Sequence, residues 1–237
     1  MKVNTVIFLF FLFSTPLYSQ SPIGGWEGKI TLPSGEPARI FVIITDHYQS
    51  ATWFKAETGE FLMTNGGTWS IDGNTMTETV EYDSANPDRV GSSVTFEIEL
   101  TEKTFRITGS EMKLERIDSG TESPLAGAWL ISGRKQGEEI AYRDTDRPRK
   151  TMKILSGKLF QWTAYNTETH EFMGTGGGMY SAENGIYTEE ILYFSRNNAR
   201  VGAKLEFNFE LIDGNWHHSG KSSKGDPIYE VWIKRPQ

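Results

Sequence analysis

The stretch Glu171–Leu211, EFMGTGGGMYSAENGIYTEEILYFSRNNARVGAKLEFNFEL, is a second spelling of Glu60–Leu100, EFLMTNGGTWSIDGNTMTETVEYDSANPDRVGSSVTFEIEL. The two align at a constant offset of 111 residues without a gap, and from Ala56/Thr167 to Gly109/Gly220 they share 20 identities in 54 positions. Repeats of roughly 20 to 50 residues build solenoids and propellers, whereas a period of roughly 110 is the size of a domain. The chain therefore reads as two copies of one small fold in tandem, and function has to be sought in what each copy holds.

Within the first copy, short β-rich runs alternate with turn residues. Eight strands are expected, beginning with Trp26–Ile30 and Ile40–Thr45 and ending with Thr104–Gly109 and Met112–Ile117. Asp72-Gly73 between two alternating runs is a strong hairpin signal, and Asn184-Gly185 stands one position on in the second copy. No window of a dozen residues carries a sustained helical period. The expected fold is all-β, with two tandem eight-stranded antiparallel barrels. The first spans 20–117 and the second 125–237, joined by the polar linker 118–124, DSGTESP, which reads as unstructured.

Met1–Ser19 has an early Lys2, an apolar run Val6–Phe13 and a small residue, Ser19, at its end. That is the layout of a secretory signal peptide, and the run is too short for a membrane anchor. The expected location is secreted or periplasmic, with no integral membrane segment after cleavage. The chain has no cysteine, so its cores must hold it without disulfides, and thiol chemistry is excluded. Its net charge of −7, about −8 once Lys2 is removed, comes with no basic cluster, which argues against nucleic acid as a partner.

The copies open with Gly24-Gly25-Trp26 and Gly127-Ala128-Trp129. A Gly-x-Trp before a first strand, followed by a β meander of this length, resembles the lipocalin-like (calycin) barrels. More closely, the second copy is similar to a lipocalin-like family of small secreted bacterial proteins of unknown function. The matching stretches are KILSGKLFQWTAYNTETHEFMGTGGGMY, YTEEILYFSRNNARVG and WHHSGKSSKGDPIYEVWIKR, covering most of 125–235; the first copy matches the first two more loosely. The resemblance implies an eight-stranded barrel with a ligand cavity, and carries no reaction with it.

Alternation along strands sorts side chains into faces. In the fifth strand Met76, Glu78, Val80 and Tyr82 share one face, and Tyr187, Glu189, Ile191 and Tyr193 repeat it. The apolar members put that face inside, so each barrel is expected to hold an inward carboxylate. A β-bulge near the glycine run would invert the assignment locally. An unpaired buried carboxylate costs several kcal/mol, roughly, or takes up a proton. The recurring candidates for partners are Arg89/Arg200, Tyr82/Tyr193, Thr77/Thr188 and the strand-three tryptophans Trp53/Trp162. The alternative is that such a Glu–Arg or Glu–Tyr network is structural. In the seventh strand His218 points inward where the first copy has Ile107, and His217 points out.

Other constellations fail on spacing. Gly174–Gly178 is followed by no helix and is not a phosphate loop; adjacent His217 and His218 lie on opposite strand faces and do not chelate one metal. No nucleophile elbow is present, and Asp144-Thr145-Asp146 reads as a charged hairpin loop rather than a cation site. No cofactor is expected. The expected function is small-molecule binding by a barrel cavity, chiefly in the second copy, lined by Trp162, Tyr187, Glu189, Tyr193, Arg200, Trp216 and His218. In the first copy the corresponding residues are Trp53, Glu78, Tyr82 and Arg89. An isomerase, lyase or hydrolase using Glu189, His218 and Tyr193 is the alternative, and a scaffold binding protein or glycan on its exterior is a third. Ligand identity and oligomeric state are not written in the sequence.

Overall fold

The computed structural model describes residues 20–222 and 225–236, so the signal peptide read at 1–19 lies outside the described residues. The first eight strands are β1 (Gly24–Thr31), β2 (Pro37–Ile44), β3 (Tyr48–Lys55), β4 (Phe61–Asp72), β5 (Thr75–Asp83), β6 (Ser93–Leu100), β7 (Thr104–Ile107) and β8 (Lys113–Asp118). They form an antiparallel meander closed by the β1–β8 pairing. The second set is β9 (Gly127–Gln136), β10 (Glu139–Tyr142), β11 (Arg149–Leu155), β12 (Leu159–Asn166), β13 (Phe172–Glu183), β14 (Ile186–Phe194), β15 (Lys204–Ile212), β16 (Asn215–Lys221) and β17 (Pro227–Lys234). Here β9 pairs with both β11 and β17 to close an eight-stranded barrel, and β10 folds back on the far end of β9 as an added hairpin. The protein is thus all-β, two antiparallel eight-stranded barrels in tandem.

Turn chemistry accounts for the tight connections. Gly73 and the pair Asn184-Gly185 adopt the positive φ that a two-residue hairpin demands. The opening tryptophans are core: Trp26 and Trp129 are fully buried, and each indole Nε1 donates to the carbonyl four residues upstream, on Pro22 and Leu125 respectively, at 2.8 Å. A buried indole N–H needs such an acceptor, which fixes how the chain enters each barrel.

The β4–β5 and β13–β14 ladders each carry a bulge at the same place. Gly66 pairs with Tyr82 but Gly67 with Val80, leaving Glu81 extra; Gly177 pairs with Tyr193 but Gly178 with Ile191, leaving Leu192 extra. Beyond an extra residue the alternation reverses. Glu78 and Glu189 therefore stay inside their barrels while Tyr82 and Tyr193 turn outward. A Cβ on Gly67 or Gly178 would run into the carbonyl oxygen of Thr79 or Glu190. We expect Gly67→Ala and Gly178→Ala each to cost about 3 kcal/mol in denaturant unfolding, since rigid backbone must move to admit the methyl group.

The outward side chains are buried because the barrels pack on each other with approximate two-fold symmetry. Phe61 stacks on Phe172, its own counterpart at offset 111, with centroids 5.9 Å apart and planes at 10°. The Tyr82–Tyr165 contact at 4.7 Å has its twin in Phe54–Tyr193 at 5.0 Å. Between them Gln161 reaches across: its Oε1 accepts from Ser50 Oγ at 2.6 Å and Thr52 Oγ1 at 2.9 Å, and its Nε2 donates to Thr64, Thr163 and Thr175, each at 3.0 Å. This is the self-complementary geometry of a two-fold dimer, built inside one chain.

Two features break the symmetry. Glu81 accepts from Arg235 and from Tyr165 Oη, both at 2.7 Å, whereas its counterpart Leu192 is apolar. Tyr82 donates to Ser50 Oγ at 2.6 Å, but residue 161 is Gln rather than Ser, and the buried Tyr193 hydroxyl has no partner among the described residues. The stretch 118–124 is also more ordered than its composition suggests. Asp118 is buried, accepts from Gly25 N on the first barrel, and accepts from Ser156 Oγ, Gly157 N and Lys158 N on the second. It staples the two barrels together at the point where the chain passes between them.

Candidate functional site

Each barrel encloses a cavity, and the two differ in chemistry. The second, of about 310 Å³, has walls of Trp162, Ile191, Phe194, Leu205, Phe207 and Trp232, among which sit Lys153, Glu189, Arg200, His218, Glu230 and Arg134. An outer groove shares Arg134, Ser222, Ile228 and Glu230 with it, which marks the β9–β17 end as the entrance.

Lys153 is the centre of this site. Its neighbours Met152 and Ile154 face the other barrel, so alternation turns Lys153 inward, opposite Trp129 and Trp162 on the adjoining strands. Its ammonium lies 4.8 Å from the ring centres of Tyr187 and Trp216 and 5.3 Å from that of Trp232. It bonds Glu189 Oε1 at 2.9 Å, with both side chains more than nine-tenths buried. Aromatic faces and a carboxylate together replace the water that a buried ammonium loses.

A second ionic group lies beside the first. Arg134 meets Glu230 Oε1 at 2.7 Å, Trp232 Nε1 donates to Oε2 at 3.2 Å, and His218 Nδ1 is 3.4 Å from Oε2. Burial pushes the Glu230 carboxyl up, but His218 and the charges of Lys153 and Arg134 outweigh it and hold it down at about 2. His218 lies in a box of Phe207, Trp216 and Tyr187, and burial, with Lys153 nearby, lowers its pKa. Its Nε2 has no hydrogen-bond partner among the described residues. The arrangement offers a neutral imidazole beside an ionised carboxylate, which can accept a proton or a hydrogen bond from a molecule in the cavity.

These shifts set a pH dependence. His218 and Glu230 sit below their ordinary values of 6.5 and 4.5, so their stabilising contributions are complete above those values and drain away as pH falls, for Glu230 toward about 2. Glu78 works the other way: burial raises it against Arg89 and Gln49, so its contribution is present below 4.5 and lost as pH rises. Thermal melts should show the protein losing stability from pH 6.5 downward, with the loss between pH 6.5 and 5 reduced in His218→Gln.

The first cavity, of about 210 Å³, is lined by Val42, Ile44, Ala51, Trp53, Met76, Val94, Phe96, Phe105, Ile107, Met112 and Leu114, with Gln49, Asn65, Glu78 and Arg89 as its polar members. Gln49 Nε2 donates to Glu78 Oε1, and Arg89 meets the buried Asp83 at 2.7 Å.

Of the residues singled out from sequence, Trp162, Glu189, Arg200 and His218 line the second cavity, and Trp53, Glu78 and Arg89 line the first. Tyr187 and Trp216 are fully buried against Lys153 and His218, beside the cavity rather than on its wall. Tyr82 and Tyr193 are corrected: past the bulge they face the other barrel and belong to neither cavity. Of the candidate partners for the inward carboxylates, Arg89 bonds Asp83 instead, while Glu189 is met by Lys153 and Glu78 by Gln49. Trp53 and Trp162 are not counterparts, since position 162 matches Ala51; they share an inward face one step apart. Sequence reasoning missed Lys153, Glu230 and Arg134. The available signal for Lys153 was a cation on an inward register whose counterpart is Val42.

No protein-family model matches the chain, and no curated protein matches it. Among the described residues no helix is long and apolar enough to cross a membrane, and no group of three His, Asp or Glu is arranged to hold a metal ion.

Proposed function

We propose that this is a secreted or periplasmic binding protein of lipocalin-like type, which holds a small, partly apolar anion in the second barrel. The observation that carries the reading is the Lys153–Glu189 pair: a buried ammonium set among three aromatic rings at the wall of a cavity open at one end. Lys153 and Arg134, held by the carboxylates of Glu189 and Glu230, present cationic groups at the wall that the carboxylate of a ligand can share. Trp162, Phe194, Phe207 and Trp232 provide the apolar contact. At roughly 30 Å³ per water-sized group the cavity holds about ten such groups, the size of octanoate.

Isothermal titration of the whole protein with octanoate tests the reading. Saturable binding with one site, weakened about tenfold or more when Lys153 and Glu189 are replaced together by Met and Leu, supports it. Binding that is indifferent to that change would place the ligand elsewhere.

The His218–Glu230 couple favours a second reading, in which the same cavity catalyses proton transfer with His218 as base. The two separate by His218→Ala. For a binding protein affinity changes modestly, whereas for an enzyme turnover falls by about 10²-fold or more while ligand is still held.

A further inference from the structure

The two cavities derive from one duplicated unit, yet several of the substitutions in and around them alter charge or polarity. Val42 of the first barrel corresponds to Lys153 of the second, Asp83 to Phe194, Ile107 to His218 and Gln49 to Phe160. The carboxylates Glu78 and Glu189 and the arginines Arg89 and Arg200 are common to both. In the second barrel Lys153 answers the shared carboxylate. In the first, Asp83 answers the shared arginine: it takes Arg89 at 2.7 Å and is itself fixed by the backbone N–H groups of Ala85 and Asn86 at 2.9 and 2.8 Å.

Glu78 is thereby left in an apolar cavity with a neutral amide, Gln49, on Oε1, and with no protein partner on Oε2 among the described residues. The charged groups on that wall are Glu78 and Arg89, and the guanidinium of Arg89 is taken up by Asp83 behind it, which leaves Glu78 as the carboxylate without a cation bonded to it. The walls around it include Trp53, Phe96 and Phe105, whose ring faces attract cations.

We propose that the first barrel is a second, separate ligand site, selective for a small apolar amine whose ammonium pairs with Glu78. The inference rests on the same reading of barrel interiors as ligand sites, but on a different cavity. At roughly 30 Å³ per water-sized group the space admits about seven such groups, the size of hexylamine. Burial raises the pKa of Glu78, with Arg89 and Gln49 opposing, and an ammonium in the cavity relieves that penalty. The duplication thus yields two sites of opposite charge preference in one chain.

The test is titration of the full chain with hexylamine, hexanoate and octanoate, in the unaltered protein and in Glu78→Gln. The expected result is saturable hexylamine binding that weakens about tenfold or more in Glu78→Gln, with hexanoate failing to compete. A thermal melt reports whether the variant remains folded. If it does not, Phe96→Trp, which fills the cavity without touching Glu78, must abolish hexylamine binding instead. Absence of hexylamine binding, binding unaffected by Glu78→Gln in the folded variant, or equal competition by hexanoate overturns the proposal. Octanoate reports on the second barrel independently. Octanoate binding without hexylamine binding leaves the proposed function standing and this inference refuted, and the converse result does the reverse.

Discussion

Glu189→Leu on its own is expected to lower stability by about 3–5 kcal/mol, because it leaves Lys153 as a buried charge with no carboxylate. For a chain of this size that is roughly a 10 °C fall in melting temperature. The aromatic rings around Lys153 soften the loss without replacing the anion. Making the second change as well, Lys153→Met with Glu189→Leu, should return stability to the starting value or above it. Removing a buried pair together also removes the desolvation cost of both ions, and position 153 is apolar Val42 in the other copy. The same double variant is expected to lose octanoate binding. Recovered stability with lost binding would mean that the pair is kept for a ligand. Stability that fails to recover would mean that the pair is holding the barrel in register.

Where the sequence was legible, the reason was local. Strand positions followed from turn residues such as Asp72-Gly73, and tandem architecture followed from the constant offset of 111. Inward placement of Glu78, Glu189 and His218 followed from alternation, and comparing the copies drew attention to His218. Alternation stopped working where the backbone gained a residue. Glu81 and Leu192 are extra in their ladders, so Tyr82 and Tyr193 face the opposite way from Glu78 and Glu189 although they fall four positions on. The glycine pairs were visible, but their purpose depends on carbonyl oxygens from the neighbouring strand.

Lys153 was hidden for a different reason. A search for polar residues that recur in both copies passes over a position where one copy has Val42, and the residue that most defines the second site is one the duplication did not preserve. Glu230 lies beyond the aligned segment, on the closing strand, and meets Arg134 only because β17 pairs with β9. The packing of the barrels was likewise out of reach. Phe61, Phe54, Ser50 and Thr52 read as ordinary alternating strand residues until a second surface covers them.

That covering surface leads to the second large effect. The fragment 124–237 is not expected to behave as an independent monomer, since excision exposes Met152, Ile154, Tyr165, Phe172, Leu192 and Tyr193 together and strips Gln161 of Ser50, Thr52 and Thr64. The face is self-complementary by descent, so two fragments should pair through it, Phe172 on Phe172 and Tyr165 on Tyr193, giving a dimer in sedimentation or light scattering. This dimer should be weak, because Arg235 would meet Leu192 of the other fragment where the full chain supplies Glu81. Leu192→Glu in the fragment rebuilds the Arg235 pairing at both ends. Two charge-assisted contacts of about 1.5 kcal/mol each should tighten the dimer by about 100-fold. The same substitution in the full chain finds no counterpart of Arg235, and Arg39, which lies over Phe54, is already paired with Glu27, so it is expected to destabilise the protein. A fragment that stays monomeric with an undiminished melting temperature would show that each barrel stands alone and that the shared face contributes little.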